Sequence, residues 1–148
     1  MSAEKKSKGR CLCGAVCVTV DAPLGDISAC HCEMCRRWSG SIQMGIEMPQ
    51  DAVTITGPVK SFQSSEFAER GWCETCGSAL WLRDTQGQNA GYYELAPGLF
   101  ENAGGASLIR EVYADCCPTG YALAGDHQRV SRAAYEAENL HVSEGVVE

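Results

Sequence analysis

The sequence contains no apolar run approaching the roughly 18 residues of a membrane span. Its opening, Met1-Ser2-Ala3-Glu4-Lys5-Lys6, lacks the apolar centre of a secretory signal. The expected protein is therefore soluble and cytoplasmic. Positive charge is also scarce: 12 basic against 19 acidic side chains leave a net charge of −7, which repels phosphate backbones and anionic lipid. The one basic run, Lys5, Lys6, Lys8 and Arg10, stands at the N-terminus, where such runs are usually solvated. Neither nucleic acid nor membrane is an expected partner. Internal repeats and low-complexity tracts are absent, helical patterning is sparse, and 148 residues suffice for one domain with one core.

Cysteine is what the chain has in quantity. There are 10, and in a reducing compartment they argue against a disulfide framework and for metal binding or catalysis. Their grouping favours metal, because a catalytic thiol needs no second thiol two or three residues away. The groups are Cys11 with Cys13, Cys30 with Cys32 and Cys35, and Cys73 with Cys76. Cys17 falls on the face of a strand opposite its valines and reads as a small strand residue. Cys116 and Cys117 are adjacent and cannot easily both reach one ion, so they read as bystanders.

Along the chain, Val16, Val18 and Val20 alternate with smaller or more polar residues, as do Ile42, Met44, Ile46 and Met48, which predicts half-buried strands. Further strands are expected at 53–56, 59–63, 79–82, 92–96 and 108–113, each bounded by Gly, Pro or polar turns. Cys73-Glu74-Thr75-Cys76-Gly77 has the form of a knuckle joining two strands of a hairpin. Ser131 reads as the N-cap of a short helix ending near Glu138. The pattern is all-β, with thiols on its loops, in a sandwich or a pair of curved sheets. The expected boundaries are a flexible tail over 1–9, a zinc-binding β domain over 10–140 and a tail over 141–148.

Zinc is the metal these thiolates favour, with an iron–sulfur cluster as the rival for any four of them. Cys11 and Cys13 with Cys73 and Cys76 make two pairs in separate hairpin-like contexts, the composition of a closed structural site. Cys30, Cys32 and Cys35 can converge from an extended segment and a tight turn, and they supply three ligands with no obvious fourth nearby. Three ligands and an open position are what a catalytic zinc has. His31, between two proposed ligands on an extended segment, should point away from the metal and is not expected to be a ligand. Arg36 and Arg37 could bind carboxylates of an anionic substrate, or could pair with the chain's own acids.

Cys11-x-Cys13-Gly14-x-Val16, then Cys30-His31-Cys32-x-x-Cys35-Arg36-Arg37-x-x-Gly40, then Arg70-x-Trp72-Cys73-x-x-Cys76-Gly77, resembles the glutathione-dependent formaldehyde-activating (GFA) family, in that family's order. Trp72 stands where the family usually has Phe. The resemblance implies a β-tent of antiparallel curved sheets with zinc-binding loops and short helical turns. It implies a structural zinc at Cys11, Cys13, Cys73 and Cys76, and a second zinc, open to partial occupancy, at Cys30, Cys32 and Cys35. The implied activity is that of a carbon–sulfur lyase or synthase, condensing the thiol glutathione with formaldehyde to S-hydroxymethylglutathione. The contrasting reading is a non-catalytic zinc-stabilised β module that binds a protein partner. A fourth protein ligand on the three-cysteine group, His127 or Cys116, would favour that module, and a redox-sensing thiol cluster is a third reading.

Overall fold

The structure, a computed structural model, describes residues 6–142. Its strands are β1 (Ser7–Arg10), β2 (Cys17–Val20), β3 (Ile27–Cys30), β4 (Gln43–Pro49), β5 (Val53–Thr56), β6 (Val59–Gln63), β7 (Ala68–Cys73), β8 (Ala79–Asp84), β9 (Tyr92–Leu95), β10 (Leu108–Val112) and β11 (Gln128–Val130). Two helices, α1 (Glu33–Ser39) and α2 (Arg132–Glu138), and short 3-10 turns complete them. The class is all-β, as the alternation predicts, and no helix among the described residues is long and apolar enough to cross a membrane. Where the sequence reads one domain, the chain divides into two compact units, each assembled from two segments: 6–27 with 44–107, and 28–43 with 108–142.

The first unit holds a three-stranded antiparallel sheet in the order β1-β2-β5 and the strand run β4-β9-β8-β7-β6, also antiparallel. Its core is apolar. Val16, Val18 and Val20 are fully buried with Ile46, Leu80 and Leu95, while Cys17 faces solvent as its strand position requires. Residues 7–9, expected in a flexible tail, lie in β1, which pairs with β2 from Ser7↔Val20 to Arg10↔Cys17. The physical reason is the side-chain pattern: exposed Lys8 and Arg10 point outward, and the inward residues are Ser7 and Gly9, so no apolar alternation marks the strand. Gly9 is needed there, since a Cβ would stand 2.7 Å from the Leu99 carbonyl oxygen. The expected tail at 1–5 and most of that at 141–148 lie outside the described residues.

The second unit is smaller and more polar inside. Its strands run β11-β10-β3, with β10 and β11 parallel in the register Glu111↔Arg129. This parallel pair makes the architecture mixed, and a three-residue strand such as β11 has too short a pattern to be read from sequence. Its buried residues are Ala29, Cys35, Val112 and Tyr113 together with polar His31, Gln43 and Glu111. The helix α1 replaces the tight turn expected after Cys32. Cys32 is its N-cap, the thiol accepting from the Cys35 amide at 3.4 Å, and Gly40 closes it in the left-handed conformation. A thiol is not among the usual capping groups, so the start signal was not legible. Ser131 caps α2 as expected, accepting from the Ala134 amide at 3.2 Å.

One backbone contact in the first unit tests this packing. Gly57 has φ +115°, and a Cβ there would lie 2.1 Å from the Ala15 carbonyl oxygen, a backbone atom that cannot swing aside. We expect Gly57→Ala to lower unfolding stability by more than about 2 kcal/mol, measured by denaturant titration. A change within about 0.5 kcal/mol would contradict the contact.

Candidate metal centres

In the first unit, Cys11 and Cys13 occupy the loop from β1 to β2, and Cys73 and Cys76 the turn from β7 to β8. The loops are shaped by their own backbones: the Cys11 amide donates to the Val16 carbonyl at 3.0 Å, and the Gly77 amide returns to the Cys73 carbonyl at 2.8 Å. Ser78 Oγ accepts from the Leu12 amide at 3.0 Å and ties one loop to the other. All four sulfurs fall within 4.8 Å of one another. Cys11 and Cys13 are 3.6 Å apart and Cys13 and Cys73 3.8 Å, against the about 3.8 Å that four sulfurs take on a tetrahedral zinc. Amides point at the sulfurs as well, Val16 to Cys11 at 3.3 Å, Ala15 to Cys13 at 3.4 Å and Cys76 to Cys73 at 3.5 Å.

The protons show why such a group calls for a cation. Hydrogen bonds from the Ser78 hydroxyl and amide hold the Cys76 thiol down at about 5, whereas Cys13, although the Ala15 amide lowers it, is pushed up to about 11 by desolvation and the neighbouring sulfurs. Four thiolates this close cannot all ionise unless positive charge stands among them. The donor set fits zinc.

In the second unit, Cys30 ends β3, Cys32 caps α1, and Cys35 lies in its first turn. Their sulfurs also fall within 4.8 Å of one another, with Cys35 buried and the other two half-buried. The Cys32 amide points at Cys30 sulfur from 3.5 Å. Hydrogen bonding to Cys32 and Cys35, and then desolvation, push the Cys30 thiol well above its ordinary value, the same signature of sulfurs crowded without a counter-charge. Among the described residues no fourth cysteine, histidine or carboxylate joins this group. Cys116 and His127 stay outside it. The sequence-predicted arginines are engaged locally: Arg36 Nε donates to the His31 carbonyl at 2.9 Å, and exposed Arg37 pairs with Glu33 at 2.9 Å.

The segment bearing these thiols is anchored by a network centred on Glu111, a residue that sequence reading did not single out. His31 is fully buried, and its Nε2 bonds Glu111 Oε1 at 2.6 Å. The other oxygen, Oε2, takes His127 Nε2 and stands 3.3 Å from Arg129 Nε. Arg129 in turn donates to the carbonyls of Leu123 at 3.1 Å and Gly125 at 3.3 Å, holding the loop that presents His127. Two residues beyond Glu111, Tyr113 adopts φ +54° and donates to Glu136 of α2 at 2.9 Å. His127, which as a fourth ligand would favour the binding-module reading, bonds a carboxylate.

With both groups of thiols located, comparison with known proteins becomes informative. Residues 6–115 match the model of the family described as glutathione-dependent formaldehyde-activating enzyme. The chain belongs to the GFA family. A Schizosaccharomyces pombe protein named as an uncharacterised lyase is 33% identical over 118 residues, 79% of this chain and 85% of that protein. A Halomonas elongata protein named as a putative glutathione-dependent formaldehyde-activating enzyme is 32% identical over 87 residues, 52% of this chain and 55% of that relative. Among solved structures, a Rhodobacter sphaeroides protein superposes with a TM-score of 0.54 at 23% identity, covering 69% of this chain and 99% of the other, a likeness of fold. All seven clustered cysteines lie inside the stretch matched by the GFA model.

Glu111 provides the test for this region. Although burial alone would raise it, hydrogen bonds from His127 and His31 hold its carboxyl below the ordinary value. A depressed carboxylate contributes stability that is present above the unfolded value of about 4.3 and is lost as pH falls through the lower folded value. We expect Glu111→Gln to be less stable than the parent by about 2 kcal/mol at neutral pH, the cost of losing charge-assisted hydrogen bonds. That gap should narrow as pH drops below about 4. Melts of both proteins across pH check it, and a gap that is absent or constant with pH would contradict the network.

Proposed function

We propose that this GFA-family chain is a zinc-dependent carbon–sulfur lyase or synthase that acts on a thiol adduct, joining glutathione and formaldehyde as S-hydroxymethylglutathione. In this reading Cys11, Cys13, Cys73 and Cys76 hold a structural zinc, Cys30, Cys32 and Cys35 hold a reactive one, and the setting is cytoplasmic. The observation that carries it is the group of three thiols to which no fourth ligand is added among the described residues. A closed site would be inert, whereas three ligands leave a position for substrate. The same observation speaks against the purely structural module, since both residues able to close the site, Cys116 and His127, stay outside the group.

Bound at the three thiolates, zinc would supply a position where a substrate thiol ionises at neutral pH, ready to attack an aldehyde carbonyl. The sulfur–carbon bond forms as the carbonyl π bond breaks, and the thiol proton ends on the new hydroxyl. The chain's own residues make this possible by geometry. Buried Cys35 anchors the group, and half-buried Cys30 and Cys32 leave one side approachable. The Cys32 and Cys35 amides aimed at sulfur offset part of the thiolate charge. Arg36 and Arg37, directly behind Cys35, are candidate contacts for substrate carboxylates, Arg37 with most of its side chain in solvent.

Cobalt substituted for zinc reports the reading. Glutathione should add a sulfur-to-metal band at the open position, and Cys35→Ser should abolish that response with the melting temperature nearly unchanged. Cys11→Ser, by contrast, should lower the melting temperature severely, because metal bound only by the native state adds to folding. An unchanged spectrum at saturating glutathione would contradict the proposed reaction, and equal melting of both variants with the parent would contradict the division into structural and reactive sites.

A further inference from the structure

The strand β3 presents two faces within the second unit. Ala29 and His31 point to one, where His31 meets Glu111, and Ser28 and Cys30 point to the other, both half-buried. Arg110 of β10 lies on this second face. Its Nη2 donates to Ser28 Oγ at 3.4 Å, and its Nε is sealed from solvent with no hydrogen-bond partner. Among the described residues no carboxylate pairs with it, whereas Arg37, Arg83, Arg129 and Arg132 each have one. A guanidinium stays charged at any physiological pH, so a half-buried one without a counter-ion costs stability. Ser28 and Cys30 are two residues apart on one face, about 7 Å along the strand. The guanidinium therefore contacts a serine two residues from Cys30, on the face that Cys30 shares.

We infer that Arg110 is a further carboxylate-binding residue of the reactive site, pairing with a carboxylate of the substrate thiol while the sulfur occupies the open metal position. This rests on the thiol reading of that site and adds a residue that holds the substrate's carboxylate. The separation suits it, since a sulfur and a carboxylate joined by a few bonds span several ångströms. Arg37 is paired with Glu33 and Arg36 donates its Nε to the His31 carbonyl, whereas Arg110 keeps a buried Nε with no hydrogen-bond partner.

The test is a cobalt-spectral titration of the zinc-replaced protein with two small thiols of matched size, 3-mercaptopropionate and neutral 2-mercaptoethanol, run on the parent and on Arg110→Gln and Arg110→Lys. The expected result is that the parent binds the acidic thiol about ten- to a hundredfold more tightly than the neutral one, the range of a charge-assisted contact. Arg110→Gln should remove that preference while binding 2-mercaptoethanol as the parent does, and Arg110→Lys should keep part of it. A parent that binds both thiols equally, or an Arg110→Gln variant that retains the preference, would overturn the role of Arg110 and leave the thiol site standing. Equal weakening of both thiols by Arg110→Gln would show a structural role and overturn it too. A parent that responds to neither thiol would overturn the reading on which the inference rests.

Discussion

Sulfur crowding is the constraint on which each unit depends. Seven thiols are gathered into two groups, each with its sulfurs within 4.8 Å of one another. Thiols packed this way give little energy as neutral groups, and as thiolates they repel, so each group is suited to a cation of high charge. The loops carry the imprint of that requirement. In the first unit the β1–β2 loop and the β7–β8 turn both direct backbone amides at sulfur, and in the second the first turn of α1 does the same with the Cys35 amide. In the first unit, whose loops have few apolar residues, a metal held by the four thiols would supply what burial does not.

In the second unit the division of labour runs between the two faces of β3 and β10. On one face Glu111 gathers buried His31 and His127 and half-exposed Arg129 into one network, which fixes the segment from Cys30 to Cys35. The opposite face carries Cys30, Ser28 and Arg110, where the sulfur is half-exposed and the positive charge unmatched. A buried carboxylate shared by three partners is rigid because losing any one leaves the others costly to bury. On the reading proposed above, rigidity on one face and an unpartnered guanidinium nitrogen on the other would make a site shaped in advance for a ligand.

The alternation of Val16, Val18 and Val20, the knuckle at Cys73–Cys76 and the Ser131 cap were legible in the sequence because each depends on neighbours a few residues away. The sorting of clustered cysteines from Cys17, Cys116 and Cys117 was legible for the same reason, since short spacing alone can bring thiols together. β1 was hidden because its inward residues are Ser7 and Gly9, and α1 because its cap is a thiol. Glu111 and Arg110 were hidden for a different reason: both act on partners about eighty positions earlier, across strands whose parallel pairing no local pattern encodes. Of the two arginines singled out beside the thiols, Arg36 donates to the His31 carbonyl and Arg37 pairs with Glu33.

The central claim is that seven thiolates are divided as four and three between two zincs. X-ray absorption at the zinc edge on the protein loaded with two equivalents measures this directly. The account predicts sulfur at about 2.3 Å with an average of about 3.5 per zinc, and a short oxygen or nitrogen shell for the remainder. A protein that holds a single zinc, or one whose two zincs each show four sulfurs, would contradict it.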